Sequence, residues 1–353
     1  MDFAKSTSIL QNFFYIMVLI FSILLMAFKI YKSDFGSLWN RICNLSVKMS
    51  LPSVEKEYKV CSSEPAKDQE NNIDNESDID DDNDNNCIDD QQIKETFKEQ
   101  KNNNIIETQM GQKGIKCGNF YVKNKTGKEI NFENYLSKTP KIKIKNKNSP
   151  LVLIYHTHTS EGYSECSRTQ DKTKNVVSVG DEIVKTLESK GIKSIHDKSV
   201  HDFPKYNGAY NRSAETVKKN IKKKSDIQIL IDIHRESMGD NITGRIKPTF
   251  KSKNGKKAAQ IMFVSGCGIN KSLNFPNWEK NLILALNLQN VCEKCFPGLT
   301  REFLIKNSKY NQNLNPGSIL IEIGSDANSL DEAKTSARML GESLAIFLKR
   351  FIK

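Results

Sequence analysis

Two histidines directly follow an apolar run in the stretch LVLIYHTHTSEGY. His156 and His158 lie two residues apart, and Glu161 follows within the same stretch. In an extended segment, residues two apart project from one face, so either histidine or both could ligate the same ion. Imidazole nitrogens and carboxylate oxygens are the usual protein ligands of catalytic zinc. The stretch therefore indicates either a metal site or a polar loop after a buried strand, and the rest of the chain must decide between them.

Two residues farther along the chain add to this chemistry. His234 ends a second apolar run, IQILIDIH, and Glu322 lies inside a third, SILIEIGS. A carboxylate within an apolar strand is unfavourable to bury unless it is paired or used, and burial raises its pKa. An acid of this kind suits proton transfer. Together the residues predict zinc-dependent hydrolysis with Glu322 as proton carrier, and a purely structural polar cluster is the alternative.

Apolar runs and helical patterns alternate from residue 150 onward, and these elements must position the candidate residues. Continuous apolar runs are typical of strands that are covered on both faces. Their alternation with helices predicts an α/β fold with a mostly parallel central sheet flanked by helices. In such sheets ligands bind beyond the carboxyl ends of the strands, so the runs ending in YHTH, DIHRE and EIGS predict one shared site. The predicted strands are LVLIYH, Ile227–Ile233, Ile261–Val264 and Ser318–Ile323, and the predicted helices are Val176–Lys190, Trp278–Cys295 and one opened by a Ser329/Glu332 capping box.

Composition limits the class of protein. Of 353 residues only 37% are hydrophobic, and the formal net charge is +11. With so few hydrophobic residues, a compact core cannot extend through the whole chain. The positive charge favours a polyanionic partner. No helix-turn-helix, RNA-binding or zinc-finger signature supports nucleic acid as that partner. The eight cysteines form no repeated pair of pairs, so the lone CxxC at Cys292 and Cys295 is interpreted as two helix-face residues.

The beginning of the chain predicts a membrane anchor at residues 1–32. Its apolar segment runs from Ile9 to Tyr31, which is long enough to cross a bilayer, and it lacks a small-residue cleavage site. Basic residues after the segment outnumber the one before it, which by itself would place the bulk of the chain in the cytoplasm. Lys29, Lys32, Arg41 and Lys48 follow its central run NFFYIMVLIFSILLMAF, whereas only Lys5 precedes it.

Three further segments follow the predicted anchor. Residues 33–114 predict a disordered linker, because Asp68–Asp90 contains eleven acidic residues and no Lys or Arg. Residues 115–149 predict a small lead-in segment, with a hairpin and a helix. Residues 150–353 predict the catalytic domain.

A series of motifs resembles a known family. YHTHTSEGY, NVVSVGDEIVKTLESKGI, IDIHRES, FPGLTR and YNQNLNPGSILIEIGSDANSLDEA occur in this order between Pro150 and Phe351. The series is similar to the stage II sporulation protein P family, membrane-anchored peptidoglycan hydrolases of endospore formers. The resemblance implies a fold like that of zinc-dependent N-acetylmuramoyl-L-alanine amidases, with Zn²⁺ as cofactor. It further implies cleavage of the amide between N-acetylmuramic acid and the stem peptide during engulfment, cleavage of peptide cross-links, and stage II sporulation proteins D and M as partners.

The resemblance also assigns roles to residues. It implies that either His156 or His158 is the first metal ligand, that His234 is another, and that Glu322 is the catalytic glutamate. The ligand glutamate of the amidases precedes the first long helix, where this chain has Thr173-Lys174-Asn175. Glu161 or Glu165 must replace it, and we predict Glu161. Three residues are predicted substrate contacts: Arg235, for which an ordinary ion pair is the alternative, Tyr310 and Asn311.

The location implied by the family conflicts with the charge pattern around the anchor. A wall hydrolase has no substrate in the cytoplasm, and long domains can translocate despite flanking charge. We therefore predict that the catalytic domain lies between the forespore and mother-cell membranes. The rival hypothesis is a wall-binding scaffold that has lost turnover. The missing glutamate before the helix favours the scaffold, whereas Glu322 opposes it.

Overall fold

The computed structural model describes residues 104–240, 243–252 and 255–352. The predicted anchor and most of the predicted linker lie outside these residues. Within the described ranges, none of the helices combines the length and hydropathy needed to cross a bilayer. The strands are β1 (Ile105–Thr108), β2 (Ile115–Cys117), β3 (Phe120–Asn124), β4 (Val152–Tyr155), β5 (Glu161–Tyr163), β6 (Cys166–Arg168), β7 (Ser194–His196), β8 (Ile229–Glu236), β9 (Gly239–Asp240), β10 (Gly244–Lys251), β11 (Lys257–Ala259), β12 (Ile261–Gly266), β13 (Phe303–Lys306) and β14 (Ser318–Ser325). The helices are α1 (Phe132–Leu136), α2 (Val176–Ser189), α3 (Ala209–Lys223), α4 (Trp278–Cys295) and α5 (Leu330–Lys349).

The main sheet has eight strands in the order β2-β3-β13-β12-β14-β8-β4-β7. The α/β class is confirmed, but the prediction of a mostly parallel sheet is wrong because the sheet is mixed. β12 runs antiparallel to β14, and β2 runs antiparallel to β3. Parallel pairing needs a long crossover, usually a helix. The connection between β13 and β14, residues 307–317, contains a single 3₁₀ turn instead, and β14 returns antiparallel to β12.

Ordered structure begins earlier than the sequence predicts. β1 lies inside the segment assigned to the linker and pairs in parallel with β10, in a small second sheet completed by β9 and β11. Four residues are too few to show a hydrophobic period, so this strand depends on its distant partner. The predicted hairpin and helix after residue 115 are present as β2, β3 and α1. β3 pairs with β13, so the lead-in segment is part of the main sheet.

Helices cover the main sheet unequally. α2, α4 and α5 pack on one face, where Ile154, Ile231 and Ile321 are fully buried. α3 covers part of the other face, near Leu153 and Leu230. The strands at the site are thus covered on both sides, which explains their continuous apolar runs. α5 begins with the predicted capping box, and Cys292 and Cys295 both lie on α4 as free thiols.

The packing of α5 gives a test of the core. Leu340 is fully buried within the main cluster, whereas Ile346 on the same helix is 47% exposed. Leu340→Ala removes buried contacts and leaves a cavity, so we expect it to lower the free energy of unfolding by about 2–5 kcal/mol. Ile346→Ala should change it by about 0.5 kcal/mol or less. Urea denaturation measures both, and equal effects would contradict this packing.

Candidate active site

The site lies where three neighbouring strands end. β4, β8 and β14 are adjacent and parallel, so their carboxyl ends share one edge of the sheet. β12, whose run carries no candidate residue, is antiparallel to them. His234 on β8 and Glu322 on β14 are directly paired in the sheet, and neighbouring strands lie about 4.8 Å apart. The sheet therefore holds these two side chains next to each other.

Three of the predicted metal ligands lie together at this edge. The Nδ1 atom of His234 is 3.5 Å from Oε2 of Glu161. The rings of His158 and His234 meet edge to face, with centroids 5.3 Å apart. All three residues are buried. The backbone N–H of Arg235 donates to Oε2 of Glu161 at 2.9 Å, which fixes that carboxylate against β8.

His234 lies between two carboxylates. Burial lowers the pKa of His234, but the adjacent carboxylates of Asp232 and Glu161 outweigh it and raise that pKa well above the ordinary histidine value. The Nε2 atom of His234 is 3.1 Å from Oδ1 of Asp232. Their alignment does not meet the geometry of a hydrogen bond, so among the described residues Nε2 has no hydrogen-bond partner. The contact is electrostatic, and it keeps the Nε2 edge of the imidazole facing Asp232.

The neighbours of His234 are shifted in the opposite direction. Burial would raise the pKa of the Glu161 carboxyl, but the charge of His234 outweighs it and lowers the pKa to about 2. Burial lowers the pKa of His158 to about 4. Its Nδ1 atom is inaccessible and has no hydrogen-bond partner in the part of the chain that the structure describes. A neutral imidazole and an ionised carboxylate are the protonation states in which His158 and Glu161 would bind a metal, whereas His234 must lose its proton to bind one.

Glu322 is the candidate acid of this site. The residue as a whole is partly exposed, but its Oε2 atom is inaccessible and lacks a hydrogen-bond partner among the described residues. Burial raises the pKa of Glu322 to about 8, despite the opposing charge of His234. A carboxyl group with a pKa near neutrality can both accept and donate a proton.

His156 does not join this cluster. Its Nδ1 donates to the carbonyl oxygen of Ile233 at 3.0 Å, and its Nε2 lies 2.8 Å from Nε2 of His196. Burial lowers the pKa of His156 to about 3. β4 ends at Tyr155, so the extended segment that would keep His156 and His158 on one face is absent there. The structure brings His158 to the site and keeps His156 in the support behind it.

The two candidate glutamates also separate. Glu161 begins β5, whose hairpin with β6 folds over the strand ends. Glu165 lies at the turn of this hairpin, where it is exposed and accepts from the backbone N–H of Leu330 at the start of α5. Only Glu161, of these two, points to the histidines.

The predicted substrate contacts have partners within the protein. The guanidinium of Arg235 donates to the carbonyls of Gly162 and Ser167, at 2.8 and 2.6 Å, and so holds the hairpin that carries Glu161. The side-chain amide of Asn311 donates to the carbonyl of Tyr210 at 2.8 Å and thereby fixes the start of α3. Tyr310 lies beside Tyr210, with ring centroids 6.1 Å apart. Arg235 and Asn311 thus support the walls of the site.

A loop at residues 197–208 holds His158, and sequence reasoning missed it. The ring of Tyr206 stacks on His158, with centroids 4.3 Å apart and an interplanar angle of 6°. Asp202 accepts from the backbone N–H and the hydroxyl of Ser160. His201 donates to the carbonyl of His156 at 2.7 Å. A polar loop gives no periodic signal, so these supports could not be inferred from the sequence.

Asp232 was also missed, although the sequence contained a signal for it. Its carboxylate accepts from the backbone N–H and the hydroxyl of Thr157, at 2.8 and 2.5 Å, and faces His234. Like Glu322, it is an acid within an apolar run, IQILIDI. The same burial argument would have selected it. It ties the end of β4 to the histidine of β8.

A family model described as stage II sporulation protein P matches residues 40–345. The chain belongs to this family. Stage II sporulation protein P of Bacillus subtilis (strain 168) is 33% identical over 205 residues, which are 53% of this chain and 48% of that protein. The chain thus spans about half the length of the curated relative that it matches.

Solved structures with some similarity include two amidases. N-acetylmuramoyl-L-alanine amidase AmiC2 of Nostoc punctiforme is 14% identical, with a TM-score of 0.34, over 59% of this chain and 99% of that one. The CwlD amidase from Clostridioides difficile, solved in complex with the GerS lipoprotein, is 15% identical, with a TM-score of 0.34, over 57% and 98%. Similarities at this level support no argument about this chain.

The candidate site of this chain has the ligand types that zinc prefers. Two donors about 2.0–2.1 Å from one tetrahedral ion lie about 3.3 Å apart, and His234 Nδ1 and Glu161 Oε2 are 3.5 Å apart. The unpartnered Nδ1 of His158 is a further imidazole nitrogen of the kind that zinc binds. Nevertheless, no three His, Cys, Asp or Glu side chains of the described residues form a group already arranged to hold a metal ion. The fit therefore rests on ligand type and on the unpartnered atoms.

Proposed function

We propose that this protein is a zinc-dependent peptidoglycan hydrolase that acts in sporulation. The bond that it cleaves is the amide between N-acetylmuramic acid and the stem peptide. The observation that carries the proposal is the meeting of His158, Glu161 and His234 beside the unpartnered carboxyl oxygen of Glu322. Membership of the stage II sporulation protein P family supports the link to sporulation.

His158, Glu161 and His234 would hold the ion. When bound, zinc lowers the pKa of water and polarises a carbonyl. Asp232 beside His234 Nε2 is the kind of outer partner that orients a ligating imidazole. It leaves Nδ1, the nitrogen nearest Glu161, for ligation. Tyr206 fixes the ring plane of His158 by stacking.

Glu322 would move the proton. Its carboxylate takes a proton from the attacking water and delivers it to the nitrogen of the leaving amine. The attack adds the water oxygen to the carbonyl carbon, and the C–N bond then breaks, so a carboxylic acid and an amine leave the site. A pKa near neutrality suits both transfers.

The proposal extends to partners and location. The net charge of +11 suits an anionic polymer such as the cell wall. Cleavage of peptide cross-links, partnership with stage II sporulation proteins D and M, and an anchored position between the forespore and mother-cell membranes belong to the same proposal. The predicted anchor falls outside the described residues, so these points remain predictions.

A wall-binding scaffold without turnover is the second candidate. The observation in its favour is the absence, within the described ranges, of a ready-made metal-holding group. The carboxyl group of Glu322 is evidence against the scaffold, because a binding module gains nothing from a buried carboxyl group with a raised pKa.

Digestion of purified peptidoglycan separates the two candidates. We expect the full-length protein with added zinc to release stem peptides that begin with a free amino-terminal alanine, detected by mass spectrometry. A chelator should abolish the release, and zinc should restore it. Sedimentation of protein with intact peptidoglycan, without any released peptide, would contradict the hydrolase and favour the scaffold.

A further inference from the structure

A buried arginine lies beyond Glu322 and plays no part in the proposed chemistry. Arg301 is 3% exposed, and its Nη2 donates to Oε2 of Glu236 at 2.5 Å. The side chain of Glu236 is 34% exposed. A guanidinium buried against a partly exposed carboxylate can exchange that partner for another anion that arrives from solvent.

The sheet places Arg301 on the same face as the catalytic residues. Thr300 bridges Ile261, and successive residues of an extended segment point to opposite faces, so Arg301 shares the face of Met262. Met262 is paired with Glu322, which is paired with His234. These residues form a row at one edge of the sheet. Two strand spacings, roughly 10 Å, separate His234 from Met262.

The hydrogen bonds of Arg301 are incomplete. Its Nε atom is buried and has no hydrogen-bond partner among the described residues. Within the part of the chain that the structure describes, its Nη1 atom donates only to the sulfur of Met238, at 3.0 Å, which is a weak acceptor. A buried guanidinium with one charged partner is unfavourable unless its remaining N–H groups also find hydrogen-bond acceptors. The planar fork of arginine matches a carboxylate, which can accept from Nε and a terminal nitrogen at once.

We propose that Arg301 binds a carboxylate of the peptide part of the substrate. This inference rests on the proposed function and adds a specificity determinant to it. The peptide runs from the scissile amide at Glu322 along the row toward Arg301. An extended chain advances about 3.4 Å per residue, so the carboxylate lies roughly three residues from the scissile bond. Glu236 is then a competitor that occupies Arg301 until the substrate carboxylate displaces it.

Calorimetric titration tests this with two synthetic probes. One is N-acetylmuramoyl-L-alanyl-glycyl-glycine with a free carboxylate, and the other is the same compound as its terminal amide. Titration of the full-length protein in a Glu322→Gln background prevents turnover. We expect the carboxylate probe to bind about 10- to 100-fold more tightly than the amide. Equal affinities would overturn the proposal.

Variants of the pair assign the preference to Arg301. Arg301→Gln should remove the preference while affinity for the amide probe stays unchanged. Arg301→Lys keeps the charge but loses the fork, and should retain part of the preference; it also serves if the glutamine variant fails to fold. Glu236→Gln removes the competitor and should tighten binding of the carboxylate probe, a result that a purely structural ion pair would not give.

A matched control is Arg338→Gln, since Arg338 on α5 is paired with Glu182 and is 40% exposed. It should leave the preference intact. An Arg301→Lys variant with the full wild-type preference, or a Glu236→Gln variant with unchanged or weakened carboxylate binding, would contradict the proposal. If the wild-type protein cleaves no peptidoglycan but the Arg301-dependent preference holds, the catalytic proposal fails and the binding site remains.

Discussion

Replacing Glu322 by glutamine is expected to lower kcat for release of stem peptides by about 10²- to 10⁴-fold, which is the range typical of a lost general acid–base group. Glutamine has nearly the same shape but cannot accept and return a proton. Glu322 is partly exposed, and among the described residues its Oε2 has no hydrogen bond to break, so the midpoint of thermal unfolding should change little. The measurement is single-turnover release of peptides from purified peptidoglycan.

The control for this substitution is Glu342→Gln, the same chemical change at an exposed position of α5. Its kcat should equal that of the wild-type protein. Zinc content should be the same in both variants, because Glu322 is not assigned as a ligand. Wild-type activity in Glu322→Gln would disprove the proton-transfer role even if the metal site were correct.

Replacing His234 by alanine is expected to reduce bound zinc from about one ion per chain to a level near the detection limit, and to abolish hydrolysis. The substitution removes one of the three proposed ligands and leaves Asp232 and Glu161 buried without the imidazole that lies between them. His158→Ala should give the same loss of zinc. Elemental analysis of the dialysed full-length variants measures it, and circular dichroism establishes whether they are folded.

His156→Ala is the matched control, because His156 is a buried histidine in the same stretch. It bonds to Ile233 and His196 instead of facing Glu161, so the variant should be less stable but should keep its zinc. If His156→Ala lost the ion and His158→Ala retained it, the ligand assignment would be reversed. The two variants therefore decide between the histidines that the sequence alone left open.

The sequence was informative where the signal was local. His234 and Glu322 could be found because each interrupts or ends a strongly apolar run, and burial of a polar group within such a run implies a use for it. The parallel direction of β4, β8 and β14 followed from the helical patterns between the early strands. Their shared edge was therefore predicted correctly, whereas the roles of the candidate residues stay predictions.

What the sequence could not give depends on distant contacts. The direction of β14 relative to β12 is set by the short connection at residues 307–317, and hydrophobic periodicity does not encode strand direction. The choice between His156 and His158 depends on where β4 ends. Tyr206 reaches His158 from a loop whose composition is ordinary. Arg301 shares the sheet face of Glu322 because Thr300 bridges Ile261. Such positions follow from the fold.

The most direct test of the central claim is the zinc content of the wild-type protein. Full-length protein is purified without added metal and is dialysed against a buffer whose only metal is a stoichiometric amount of zinc. It is then dialysed against the same buffer without zinc, and the metal bound per chain is measured. One tightly bound zinc per chain, removed by a chelator together with the release of stem peptides, is the predicted result. Folded protein that retains no zinc, or that releases stem peptides equally well without it, would contradict the assignment of His158, Glu161 and His234 as a metal site.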